Sequence, residues 1–167
     1  MAAQISFDVT SSVDLQEVDN AVNQARKEIM QRYDFKGSKA TIDLKRGENK
    51  IDILADDNLK MDAIYEILLS RMVKRGVPVK NLKPSEIEAT ASGMVKRSIE
   101  LQQGIPTDKA KDIVKFLKDK GIKKVQANIQ GDQLRMTSAS KDDLQGVMRE
   151  LRAHDFGIEL MFGNYRE

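Results

Sequence analysis

The chain has 167 residues, 40% hydrophobic and 32% charged, with a net charge of +2, the profile of an ordinary globular protein of one domain or two small ones. It has no cysteine, so disulfides, thiolate metal sites and a cysteine nucleophile are excluded. No apolar run approaches the ~18 residues of a membrane span. The opening MAAQISFDVTSS has neither a charged start nor a long apolar core, so no signal peptide is expected, and the cysteine-free composition suits a reducing cytoplasm.

In chain order, QISFDVT (4–10) alternates as a strand with Ile5, Phe7 and Val9 on one face. A helix is expected from Asp14 to Tyr33, capped by Asp14 with Glu17 reaching back to it, and with Val13 and Val18 placed as a staple. Its apolar stripe is Val18, Ala21, Val22, Ala25, Ile29 and Tyr33. Residues 39–45 and 49–55 read as a hairpin, and Asn58–Arg75 as a helix stopped by Gly76. PVKNLKPSE (78–86) holds two of the three prolines and reads as a linker, followed by strand-like EIEAT (86–90). A strand near 94–102 turns Ile99 and Leu101 inward. The stretch PTDKAKDIVKFLKDKG is a helix with Ala110, Ile113, Val114 and Leu117 inward. KKVQANIQGDQLRM (123–136) makes two strands about Gly131-Asp132, Ser140 caps a helix over 141–153, and GIELMF (157–162) closes as a strand.

A repeat underlies this order. Moved back by 83 positions, Val125 falls on Ile42, Ala127 on Leu44, Leu134 on Ile51, Met136 on Ile53, Leu144 on Met61, Val147 on Ile64 and Leu151 on Leu68. Each half then reads strand–helix–strand–strand–helix–strand. The expected fold class is α+β, with two ferredoxin-like (βαββαβ) domains in tandem, 1–90 and 91–167, each an antiparallel four-stranded sheet with two helices on one face.

That architecture leaves one sheet face open. RNA-binding domains of this form stack bases on aromatics there, but the strands NKIDILAD and DQLRMTSA carry none, and Phe7 shares the parity of the core. The second half instead offers Lys124, Gln126, Asn128, Gln133, Arg135 and Thr137, amides that can read base edges and cations that can hold phosphate. The alternative is a solvated face with no ligand. Charge is weakly asymmetric: residues 1–90 hold 14 Lys+Arg against 15 Asp+Glu, and residues 91–167 hold 14 against 11, so an acidic partner is expected at the second half. The lysines from Lys109 to Lys124 could follow a phosphate backbone, or form the solvated side of an amphipathic helix, since Asp108, Asp112 and Asp119 interleave them.

RYDFKG (32–37) is a second candidate. Arg32 and Lys36 supply cations, and Gly37 lets backbone amides approach an anion; alternatively it is a helix end with Phe35 packed inward. Asp56-Asp57 can bind a cation or, more simply, cap a helix. His154 is the lone histidine, and no phosphate-binding glycine loop of the GxxxxGK[ST] or GxGxxG kind is present. No catalytic residues, metal ligands or cofactor are expected.

The front SFDVTSSVDLQEVDNAVNQARKEIMQRYDFKGSKATIDL, the block GIPTDKAKDIVKFLKDKGIKKVQANIQGDQLRMTSASKDDLQGVMRELR and the ending FGNYRE resemble the YajQ family of bacterial nucleotide-binding proteins over nearly the whole chain. One departure is SASKDDLQ, where the family often has a more basic stretch; Lys141 keeps one cation there. The resemblance implies two ferredoxin-like domains whose terminal strands can be exchanged. It also implies binding of a nucleotide, a cyclic dinucleotide such as cyclic di-GMP, or RNA or DNA, without catalysis and without a membrane. The expected ligand-binding residues, chosen on charge and geometry, are Arg32, Lys36, Gly37, Lys124, Gln126 and Arg135. The rival expectation is a scaffold whose open sheet faces meet protein partners.

Overall fold

The computed structural model describes residues 4–167. Residues 1–3, the start of the expected first domain and of the segment read for a signal peptide, lie outside the described residues. Two compact units divide the chain: a leading unit, Val13–Gln102, and a trailing unit made of the residues up to Ser12 together with Gln103–Glu167.

The leading unit opens with helix α1 (Leu15–Gln31), whose first turn is capped by Asp14 accepting from the amides of Gln16 and Glu17. Glu17 does not reach back as expected. Its carboxylate accepts from Arg75 Nε at 2.7 Å, a charged partner that outbids the backbone. Strands β2 (Thr41–Lys45) and β3 (Lys50–Ala55) form the hairpin, and α2 (Asn58–Lys74) is capped by Asp57, which accepts from the Lys60 amide at 2.8 Å. Asp56 instead ties down the preceding loop, accepting from Ser38 Oγ and from the Lys39 amide. Those hydrogen bonds, Ser38 foremost, hold its pKa below the usual carboxylate value.

The expected linker is built into the sheet. Residues 79–81 make a single 3-10 turn, Leu82–Pro84 form strand β4, and Asn81 is fully buried with Nδ2 donating to the Gln102 carbonyl at 3.0 Å. Pro78 starts the 3-10 turn and Pro84 ends β4, and Leu82 between them pairs with Leu101. Strand-like 86–90 shrinks to β5 (Glu88–Ala89), and β6 (Val95–Leu101) follows. The strand order is β2-β3-β6-β4, with β5 also on β6. Ile42, Ile51, Ile53 and Ile99 meet Val18, Val22, Met61, Ile64 and Leu68 across the core, each fully buried side chain contributing roughly 1.5–3 kcal/mol.

In the trailing unit, β1 (Ile5–Thr10) lies between β8 (Gln133–Ser138) and β9 (Met161–Arg166), with β7 (Gln126–Gln130) outside β8. Helices α3 (Thr107–Asp119) and α4 (Lys141–Ala153) cover one face. Phe7, Val9, Leu134 and Met136 are buried there with Ala110, Ile113, Leu117, Leu144, Val147 and Leu151. Ser140 caps α4 as expected, accepting from the Asp143 amide at 3.3 Å. The closing strand begins at Met161 rather than residue 157, because Phe156 and Ile158 fill the core from an irregular segment.

The boundary between units differs from the expected 90/91. It follows sheet pairing rather than chain order: β1 bonds to β8 and β9, and β6 to β3, β4 and β5. Each unit therefore takes its inner strand from the other half of the sequence. Gly104 marks the re-entry. It sits at φ +80, its amide donates to the Ser11 carbonyl at 2.6 Å, and an added Cβ would lie 2.7 Å from Asp132 Cβ. Gly104→Ala should lower stability by about 2 kcal/mol through left-handed strain and this contact, read as a fall in the denaturation midpoint.

Candidate functional site

The open face of the trailing sheet is built by strand parity. Gln126 pairs with Thr137, and Asn128 with Arg135, which in turn faces Asp8 on β1. Asp8 is 1% exposed. It accepts from Arg135 Nε at 3.0 Å and Asn164 Nδ2 at 3.0 Å, and a terminal nitrogen of Arg166 lies 3.3 Å away. Asn164 reaches it from a left-handed position, φ +53, beside a break in register between β1 and β9, a conformation asparagine tolerates. Burial alone raises the Asp8 pKa, but the hydrogen bonds from Arg135 and Asn164 and the charges of Arg135 and Arg166 outweigh it and hold it below the usual value.

Arg135 is thus a partly buried structural cation, one-third exposed, rather than a side chain standing free on the face. Lys124 is also displaced from its expected place. It precedes β7, which starts at Gln126, so it flanks the sheet instead of projecting from a paired strand. There it joins Gln126: a cavity of about 690 Å³ at the sheet's end is lined by Lys123, Lys124, Gln126, Thr137, Ser138 and Ser140, with Asp143. Hydroxyls and backbone are organised there, Ser138 Oγ accepting from the Ser140 amide at 3.1 Å at the start of α4. Lys123 and Lys124 also line an adjoining hollow of about 480 Å³ that runs toward Arg149. The volume is within the range of small-molecule sites. Two lysines, a carboxamide, hydroxyls and a helix N-terminus suit a phosphorylated ligand with a hydrogen-bonding base.

The remaining candidates lie in the leading unit. Arg32 grips Asp34 with two hydrogen bonds, 3.0 and 2.9 Å, and lies 5.5 Å over the buried Phe35 ring, so its guanidinium serves its own turn. That hydrogen-bonded pair raises the Arg32 pKa and lowers that of Asp34. Lys36 is exposed, and Gly37, at φ +79, turns the chain toward β2. This unit's open face is mixed in charge: Asp43 stands opposite Asp52, and a hollow of about 360 Å³ there is lined by both together with Glu88 and the cations Lys50, Lys96 and Arg97. The sequence reading missed Asp8, Asn164 and Arg166. The polar parity of an acid between Phe7 and Val9 was the one local signal for them.

Among the described residues, no cluster of three or more His, Asp or Glu is arranged to hold a metal ion, and no helix is long and apolar enough to cross a membrane. A family model described as "Nucleotide-binding protein YajQ-like" matches residues 5–166. The chain is 48% identical over 164 residues to a "Nucleotide-binding protein" of Elusimicrobium minutum, covering 98% of this chain and 99% of that one. It is 47% identical over 162 residues to one of Trichlorobacter lovleyi, covering 97% and 99%. A third, from Desulfitobacterium hafniense, is 48% identical over 166 residues, covering 99% and 100%. With agreement of this depth along the whole length, the chain belongs to the YajQ-like family.

Proposed function

We propose that the protein binds a nucleotide in the trailing-unit cavity and does not turn it over. The single observation that carries this reading is the meeting of Lys123, Lys124 and Gln126 with Ser138, Ser140 and the start of α4 around one cavity of about 690 Å³. The lysines and the helix N-terminus would take the phosphates, and Gln126 and Thr137 would take polar edges of the base. Relatives named for nucleotide binding support the ligand class. A cyclic dinucleotide such as cyclic di-GMP is the form we favour, with an effector role in the cytoplasm. It presents two phosphates and two bases in a compact ring, and the hollow adjoining the cavity shares Lys123 and Lys124. The segment with Arg32, Lys36 and Gly37 in the leading unit would be a separate and weaker site at most, since Arg32 is held by Asp34. RNA or DNA is the weaker alternative, because strands β2, β3, β6, β7 and β8 carry no aromatic for stacking.

Thermal shift against a panel of mononucleotides, cyclic dinucleotides and short oligonucleotides tests the reading. A ligand at 100 times its dissociation constant should stabilise by about 2.7 kcal/mol. A shift with cyclic di-GMP and no conversion of it to linear dinucleotide or mononucleotide over hours is the expected result. No shift with any compound would sink the reading.

A further inference from the structure

A sheet edge offers unpaired backbone N–H and C=O groups to any chain that can align with it, and proteins blunt such edges with charge, proline, bulges or covering side chains. Three edges here are blunted. β2 carries Asp43 and Lys45, and Arg26 Nε donates to its Ile42 carbonyl at 2.9 Å. β4 is three residues long and ends in Pro84. β9 breaks register with β1, bends at Asn164 and carries Arg166. β7 has none of these devices. Its residues, QANIQ, hold no charge and no proline, and its register with β8 is unbroken. Ile129 has the parity of the core face yet is 43% exposed.

The hairpin fixes which groups are free. The turn Gly131-Asp132 closes on the pair Gln130–Gln133, with Gly131 at φ +63, as a two-residue hairpin turn led by glycine. The closing pair bonds across the hairpin, so Gln126, Asn128 and Gln130 direct their backbone groups to β8, while Ala127 and Ile129 direct theirs outward.

We propose that β7 is a self-association edge, pairing antiparallel with β7 of a second copy of this chain about a two-fold axis at Asn128. Three features favour a second copy as the occupant. An axis at the strand's midpoint pairs all of Gln126–Gln130 in both copies, and Ala127 of one copy exchanges its outward groups with Ile129 of the other. The half-exposed Ile129 then covers Ala127 of the second copy and extends both core faces. Just beyond the strand ends, the same axis sets exposed Lys124 opposite exposed Asp132 of the second copy, so opposite charges meet and like charges do not.

The chain has no cysteine, so introduced thiols report the register alone. On the axis, Asn128 faces itself across a non-hydrogen-bonded pair, a separation a disulfide can bridge. Under mild oxidation Asn128→Cys should yield a covalent dimer. Gln126→Cys and Gln130→Cys should not cross-link alone but should when mixed. Sedimentation velocity of the unmodified chain should show a dimer growing with concentration. Ala127→Pro, which removes an outward donor, should abolish it with an unchanged circular dichroism spectrum, and Ile129→Lys serves the same purpose if the proline variant fails to fold. A wild type that sediments as a monomer at every concentration overturns the proposal. So does a dimer that survives the folded variants, or cross-linking at Gln126→Cys alone as fast as at Asn128→Cys.

Discussion

Asp8→Ala will destabilise the trailing unit by about 2–4 kcal/mol, the largest stability loss expected of any polar substitution here. Removing one member of a buried ion pair costs about 3–5 kcal/mol, because the other is left uncompensated. The lower figure applies because Arg135 and Arg166 are one-third and nearly one-half exposed and can recover some water. Arg135→Ala should cost less, about 1–2 kcal/mol, since Asn164 and Arg166 remain with the carboxylate. Amide exchange at Phe7, Val9 and Leu134 reads this unit separately. The pH dependence has a fixed sign. The Asp8 pKa is lower in the folded protein, so its contribution is whole above the ordinary carboxylate value of about 4 and is lost as pH falls through the lowered one. Asp8→Asn should therefore flatten the acid limb of the stability curve, and an unchanged limb would mean that other carboxylates control it.

Lys123→Ala/Lys124→Ala will weaken nucleotide binding by about 10–100-fold, the worth of a charged hydrogen bond at about 1.5–3 kcal/mol. Both lysines are exposed, so the melting temperature should stay within about a degree of the wild type. The substitution should also flatten the salt dependence of affinity, since screened charge is what it removes. Lys111→Ala/Lys118→Ala, exposed lysines of the same basic run on α3, is the control and should leave affinity unchanged. Equal losses in both double variants, read by isothermal titration, would mean that net charge and not the cavity governs binding.

Much of the fold was legible because local signals agreed. Ser140 followed by the stripe Leu144, Val147 and Leu151 specifies α4 by cap and period alike. The 83-residue repeat set Met61, Ile64 and Leu68 in one core and Leu144, Val147 and Leu151 in the other. The partners of the inner strands were not legible in the residues themselves; only the family resemblance implied that terminal strands can be exchanged. ISFDVT and VKRSIEL both alternate, and alternation says which face a side chain takes but not which sheet a strand joins. The expected linker failed for a related reason: proline marks the end of an element as readily as a free connection, and Leu82 and Asn81 carry no local sign of burial. At the site, Lys124 and Gln126 were legible as polar residues beside an apolar strand. The engagement of Arg135 was not, because its partner Asp8 is 127 residues away and is buried only when β8 and β9 close on both sides of β1.

The most direct test of nucleotide binding in the trailing cavity is a backbone amide spectrum of the labelled protein titrated with cyclic di-GMP. Shifts should concentrate at Lys123–Gln126 and Thr137–Asp143, which line the cavity together with Gln4. Shifts confined to Arg32–Ser38, or none at a concentration that stabilises the protein, would contradict the account.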